Sequence, residues 1–361
     1  MIRPLLLSAL LVFGLAPFAA TAQETPKSFS GYNELFDHFD KRRKVLITRF
    51  ERLREKERVE PEDLRKAEDE LVALDREYCA ALRTYVDEHP GANDLMPARF
   101  EMTVSLSRLE DRLEDALKAA DEFLRHHADA ELAADARFVK AQTLFRIAER
   151  EVEALAALEQ FIEKHGERPE ADAARMMRVR TLMLLDRTAD ARRALEALLK
   201  SDKVKGDDAA RAHIQGLLDA LDWVGRDVPQ FELADTAGKP VKTADLAGKP
   251  ALLFVWDTTS EPCLGELPFV LQAQKQHGEK LAILGVSVNE SRTALEQWLA
   301  RQKETVKFRN VWIDRAEEGT LLKKLAVRAI PFNILLDAQG KVYRYDVRSD
   351  DMLRYVARLA K

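Results

Sequence analysis

The chain has 361 residues, 46% hydrophobic and 33% charged, with 57 basic and 62 acidic side chains intermixed to a formal net charge of −5. This length suits two or three domains, the composition excludes a disordered chain, and the lack of a basic stripe argues against a nucleic-acid partner. Two cysteines, Cys79 and Cys263, are too few for a disulfide framework.

The chain opens on MIRPLLLSALLVFGLAPFAATAQETP. One arginine, an apolar run from Leu5 to about Phe18 and the small-x-small triplet Ala20-Thr21-Ala22 predict a signal peptide over residues 1–22, cleaved after Ala22. As an uncleaved anchor the run is short for ~30 Å of hydrocarbon. No cysteine lies near the cleavage site for lipid attachment, and no later segment approaches a membrane span. The expectation is an exported, periplasmic protein with a linker over 23–30 and no stable membrane insertion after cleavage.

Residues 31–223 read as helix. They are poor in Gly and Pro, rich in Ala, Leu, Glu and Arg, and carry helical apolar spacing such as Leu106, Leu109, Leu113 and Leu117. Laid against itself, the segment repeats every 38 positions: Tyr85, Phe123 and Phe161 share a column, as do His89, His127 and His165, then Arg99, Arg137 and Arg175, then Leu106, Leu144 and Leu182. A fixed period of this size predicts stacked helix pairs, each burying its apolar face on the next. The pattern resembles a tetratricopeptide array with a unit slightly longer than the usual ~34 residues. Residues 32–80 read as a capping hairpin whose second helix opens at Pro61. The histidines recur one per unit near helix ends, where a cationic ring complements the dipole and can satisfy terminal carbonyls, so no metal site is expected. Cys79 shares its column with Leu117 and Leu155 and reads as a buried small hydrophobe. Such stacks offer a concave surface, so a protein or peptide partner is expected through the helical region.

Gly, Pro and β-branched residues return near Val224. ALLFVW (251–256) reads as a buried strand, followed by a helix from about Glu261 to His277, a strand over 281–288, a helix over 293–302 and a short strand over 308–314. A helix over 317–326, a strand over 332–337, a turn at Ala338-Gln339-Gly340 into KVYRYDV and a closing helix complete the pattern. Strands alternating with helices imply a sheet covered on both faces.

From Val224 to Lys361 the sequence resembles the TlpA/ResA-like thioredoxin domains of the redoxin superfamily. The resemblance is carried by VGRDVPQFEL, GKPALLFVW, EPCLGELP and AIPFNILLDAQGKV in that order. It implies an α/β thioredoxin-like fold behind the helical repeats. It also implies an exported thiol–disulfide oxidoreductase ancestry, a cis peptide at Ile330–Pro331 facing the Cys263 turn, and Glu266 as the acid beside the redox pair. Trp256, Glu266, Ile330 and Pro331 are thereby expected around the cleft.

The departure falls at the chemistry. The resemblance places an attacking cysteine where Ser260 stands, in the run Ser260-Glu261-Pro262-Cys263. Exchange needs a thiolate, which a serine hydroxyl cannot supply. Thr259 and Asp257 depart from the family turn as well. Ser260 reads as a helix N-cap with Glu261-Pro262 in the first turn. As an activated nucleophile it would need a base within reach, and His277 is expected at the far end of the helix. Ser260-x-x-Cys263 also resembles peroxiredoxins, which place Thr or Ser three residues before the reacting cysteine. Against that stand Trp256, where they carry Pro, and Arg328, near their arginine in sequence but unaligned with it. Cys263 is the candidate reactive residue; inert burial, one-cysteine chemistry and pairing with Cys79 all stay open. The leading expectation is a binding or scaffolding protein with a degenerate redox motif, without cofactor or metal. The alternative is a thiol-dependent oxidoreductase or peroxidase using Cys263.

Overall fold

The computed structural model describes residues 29–55, 61–313 and 322–361. The signal-peptide expectation, most of the 23–30 linker and the first half of the expected 317–326 helix lie outside the described residues. The chain divides into two compact units between Thr181 and Leu182.

The first unit is helical. α1 (Tyr32–Arg54) and α2 (Pro61–Glu88) form the expected hairpin, and α3 (Leu95–Ser107), α4 (Leu113–His126), α5 (Ala133–Arg146) and α6 (Glu151–His165) follow, each packed on its predecessor up to α6. α7 (Glu170–Leu184) carries the chain into the second unit. The aromatic and leucine columns are core columns: Phe123 and Phe161 are at most 1% exposed, and Leu106, Leu144 and Leu182 at most 3%. Each aromatic contacts the histidine one turn later, with ring centroids 4.6 Å apart for Tyr85–His89, 5.1 Å for Phe123–His127 and 5.3 Å for Phe161–His165. His89 Nδ1 lies 3.0 Å from the Tyr85 carbonyl. Burial first, and arginines second, push the His127 and His165 rings below the usual histidine range. At neutral pH these two therefore act as flat neutral rings on the aromatic column. The dipole complement expected of a cation is lost there.

The second unit starts with the end of α7, α8 (Thr188–Leu199), the single turn α9 (Asp202–Lys205) and α10 (Asp208–Trp223). Composition places a boundary at 223/224; the compact unit begins earlier because Ala220 and Trp223 of α10 pack against the sheet core, Trp223 stacking on Tyr345 at 5.0 Å. A small antiparallel pair, β1 (Glu232–Ala234) and β2 (Pro240–Lys242), precedes β3 (Ala251–Trp256), α11 (Glu261–His277), β4 (Ala282–Ser287), α12 (Arg292–Arg301) and β5 (Arg309–Trp312). β6 (Phe332–Leu336), β7 (Val342–Tyr345) and α13 (Ser349–Leu359) close the chain. The main sheet has the order β5-β4-β3-β6-β7, with β3, β4 and β5 parallel and β6 and β7 antiparallel to their neighbours. This mixed sheet, with α11 following its central strand, is a thioredoxin-like fold.

All six residues of β3 are buried, as a strand covered on both faces requires. Ala251, Leu253 and Val255 face one core with Leu284, Val286 and Ile334. The alternate residues face the other side, where Phe254 pairs across the ladder with Asn333, the residue that bonds Glu266 of α11. β7 carries Arg344, only 2% exposed, whose charge is met by Asp186 at 2.6 Å and by the Tyr343 and Tyr355 rings at 4.1 and 4.7 Å. A buried guanidinium is tolerable only with such compensation.

Gly285 in β4 shows how tightly the site's base is built. A Cβ there would lie 2.0 Å from Asn310 Oδ1, the atom that accepts from Trp256 Nε1 at 3.2 Å. Gly285→Ala must displace Asn310 and loosen Trp256. We expect a loss of about 1–3 kcal/mol, read as a lower urea midpoint at unchanged m-value.

Candidate functional site

β3 delivers the chain to a four-residue turn, 257–260, that ends as α11 begins. The turn is built by its own side chains. Asp257 Oδ1 accepts from the Thr259 backbone N–H and hydroxyl, each at 2.7 Å. Thr258 is pinned from below: its N–H donates to Asn289 Oδ1 at 3.2 Å and Asn289 Nδ2 donates to its hydroxyl at 2.6 Å. Asn289 is fixed in turn by the Ser287 hydroxyl, and its carbonyl accepts from Trp312 Nε1 at 2.8 Å. This buried polar chain ties the turn to the end of β4.

Ser260 occupies the N-cap of α11 with extended backbone, and Glu261 and Pro262 form the exposed first turn, as read from the sequence. Its hydroxyl makes no capping bond to the helix backbone. It is instead one of the groups that favour the Cys263 thiolate. Cys263 is fully buried and free. Burial pushes its thiol above the usual cysteine range; bonds from Ser260 and the Asp257 backbone and the charge of Arg348 pull the other way without winning. A buried protonated thiol is a poor nucleophile.

Glu266, one turn further along α11, is 4% exposed. Its Oε1 accepts from Asn333 Nδ2 and from the Ser349 backbone N–H, both at 2.8 Å, and Oε2 accepts from the Ser349 hydroxyl at 3.1 Å. Burial holds its carboxyl above the usual range despite these donors. The donors make Glu266 a tertiary cap for α13, whose N-cap residue Arg348 makes no side-chain capping bond.

Trp256 is wholly buried, stacked on Phe254 at 5.3 Å and edge-on to Trp298 at 5.2 Å, so its ring belongs to the interior at the base of the turn. The Ile330–Pro331 peptide is cis; Ile330 packs on the sheet core and Pro331 is buried before β6. His277 closes α11, sixteen positions past its first residue, too far along to serve Ser260 as a base. Arg328 is bound to Asp219 at 2.8 Å, and the guanidinium whose charge reaches Cys263 is Arg348. Sequence reading missed Arg348, Asn333 and Ser349; the left-handed backbone of Ser349, φ 52°, has no local signature in its residue type. Among the described residues no group of three or more His, Cys, Asp or Glu is placed to hold a metal ion, and no helix is long and apolar enough to cross a membrane.

Residues 224–357 match the AhpC/TSA family. The thiol-disulfide oxidoreductase ResA of Bacillus subtilis is 32% identical over 121 residues, covering 33% of this chain and 65% of that protein. The thiol:disulfide interchange protein DsbE of Pseudomonas fluorescens is 34% identical over 122 residues, covering 33% of this chain and 64% of that one. The chain thus spans slightly under two thirds of these relatives. A crystal structure of the thioredoxin domain of a thiol-disulfide oxidoreductase from Bacteroides vulgatus superposes with a TM-score of 0.36 at 22% identity, over 38% of this chain and 98% of that one. The C-terminal region of the chain is a redoxin domain of the AhpC/TSA family, with ResA-like thiol–disulfide oxidoreductases among its homologues.

Proposed function

We infer that the chain is an exported cell-envelope protein whose redoxin domain does not carry out two-cysteine exchange, and that it acts by holding a protein or peptide partner through its tetratricopeptide-like helices. One observation carries this reading: the sole thiol of the motif is fully buried and its neighbour at the helix N-cap is a hydroxyl. Exchange proceeds through a thiolate and a second sulfur that resolves the mixed disulfide. The turn offers neither in reactive form. Stacked helices supply extended surface without any requirement for a thiol.

The test uses the full chain. Cys263 is expected to react with a thiol reagent at pH 7 roughly a hundredfold more slowly than after unfolding, since burial both hides it and keeps it protonated. Affinity capture from envelope extract by the chain and by its Cys263→Ser variant should retain the same proteins. Loss of captured proteins in the variant would identify mixed disulfides and overturn the reading. The second reading, one-cysteine peroxide reduction, is favoured by the Ser260 hydroxyl and the Arg348 charge, both of which favour the Cys263 thiolate. Peroxide consumption that vanishes on Cys263→Ser would establish it in place of the first.

A further inference from the structure

One pair of 38-spaced positions in the first unit changes its charge between repeats. In the second unit of the repeat, Asp121 on α4 pairs with Lys140 on α5 at 2.5 Å; one period later Glu159 on α6 pairs with Arg178 on α7 at 2.9 Å. One period earlier the same two positions hold Arg83 and Met102. The acid has become a cation and its former partner is apolar. Among the described residues Arg83 has no ion pair and remains exposed. The adjoining core position changes too, from Leu155 and Leu117 to the smaller Cys79.

These replacements surround a cavity of about 230 Å³ lined by Cys79, Ala80, Arg83, Met102, Leu106 and Arg112. Arg112 spends its Nε on Asp115 at 2.7 Å, which leaves its terminal nitrogens. The nearby Asp111 is committed to Arg76. The cavity is therefore lined by the apolar Cys79, Met102 and Leu106 and by two arginines, Arg83 and Arg112. An apolar cavity of about 150 Å³ accommodates a benzene ring, so this one has room for a ring and a short chain. Guanidinium groups favour planar, two-oxygen anions.

We propose that this cavity is a binding site for a small amphipathic monocarboxylate, its apolar part against Cys79, Met102 and Leu106 and its carboxylate held by Arg83 and Arg112. The site is formed by the helical unit alone and does not depend on the redox motif. 3-Phenylpropionate is the probe, with its uncharged amide as the control, titrated calorimetrically into the full chain. The acid binds saturably at millimolar concentration or below, and the amide about tenfold more weakly, the loss of a charge-assisted bond. Arg83→Asp with Met102→Lys restores the ion pair of the neighbouring units; it weakens acid binding about tenfold or more while leaving the melting temperature equal or higher. Cys79→Leu restores the column's leucine, fills the floor and abolishes binding. Equal binding of acid and amide, undiminished binding by either variant, or no saturable binding to the unmodified chain would each overturn the proposal.

Discussion

Ser260→Cys is expected to raise thiol–disulfide exchange far above that of the parent chain. Ser260 at the N-cap and Cys263 in the first turn of α11 are three positions apart, and the Ser260 hydroxyl is among the groups that favour the Cys263 thiolate. A sulfur in place of that oxygen meets the geometric demand of a disulfide with little backbone movement. Position 260 is also half-exposed, whereas Cys263 is fully buried. The new thiol would stand at the N-terminus of a 17-residue helix, where a thiolate is stabilised. It would attack, and Cys263 would resolve the mixed disulfide inside the molecule. Resolution by a neighbouring thiol replaces an encounter between molecules, so reduction of insulin disulfides by the variant with dithiothreitol should exceed that of the parent by at least ~10²-fold. Ser260→Cys with Cys263→Ser should fall back to the parent rate. An inert single variant would mean that the turn lacks more than a sulfur. Activity in the parent chain, lost on Cys263→Ser, would sink the functional reading itself.

Local pattern and tertiary contact contributed differently to what could be read in advance. ALLFVW announces β3 at its observed ends because six consecutive apolar residues bounded by Pro250 and Asp257 suit only a strand buried on both faces. Glu261-Pro262 announces the start of α11 because the fixed φ and missing N–H of proline suit a first turn, although Pro268 also lies within this helix. The aromatic column of the helical unit is legible because each repeat solves the same packing problem with the same residue type. By contrast, α10 reads as part of the helical series, since its propensities are those of any helix; only its contact with β7 places it beside the sheet. The closing helix buries Met352, Tyr355 and Val356, a set fixed by its packing on α11. Arg348 and Ser349 lie more than eighty positions from Cys263 and Glu266, and nothing local marks either one as a neighbour of the turn.

Glu266 is where that distant contact has the largest energetic consequence. Three donors end on its carboxylate: the Asn333 amide, the Ser349 N–H and the Ser349 hydroxyl. Glu266→Leu keeps the apolar bulk and removes the acceptor of all three, although the Asn333 amide retains the Val347 carbonyl and Ser349 is half-exposed. At about 1–3 kcal/mol for each unsatisfied buried group, partly relieved by movement of α13 toward solvent, the expected loss is about 3–5 kcal/mol. Glu266→Gln keeps one acceptor oxygen for the amide and the N–H, and its own NH2 can donate to the Ser349 hydroxyl, so the loss should stay under about 1.5 kcal/mol. The pH dependence separates this capping role from mere bulk. Burial raises the folded-state carboxyl above its unfolded value, so the folded protein holds the proton more tightly. That contribution is fully present below the ordinary glutamate range and is lost as pH rises through the raised folded value. The parent should therefore lose stability across that window in urea titrations, and Glu266→Gln should remove this part of the slope. An identical slope in parent and Gln variant would show that the carboxyl is ionised throughout and that its cap on α13 costs no proton.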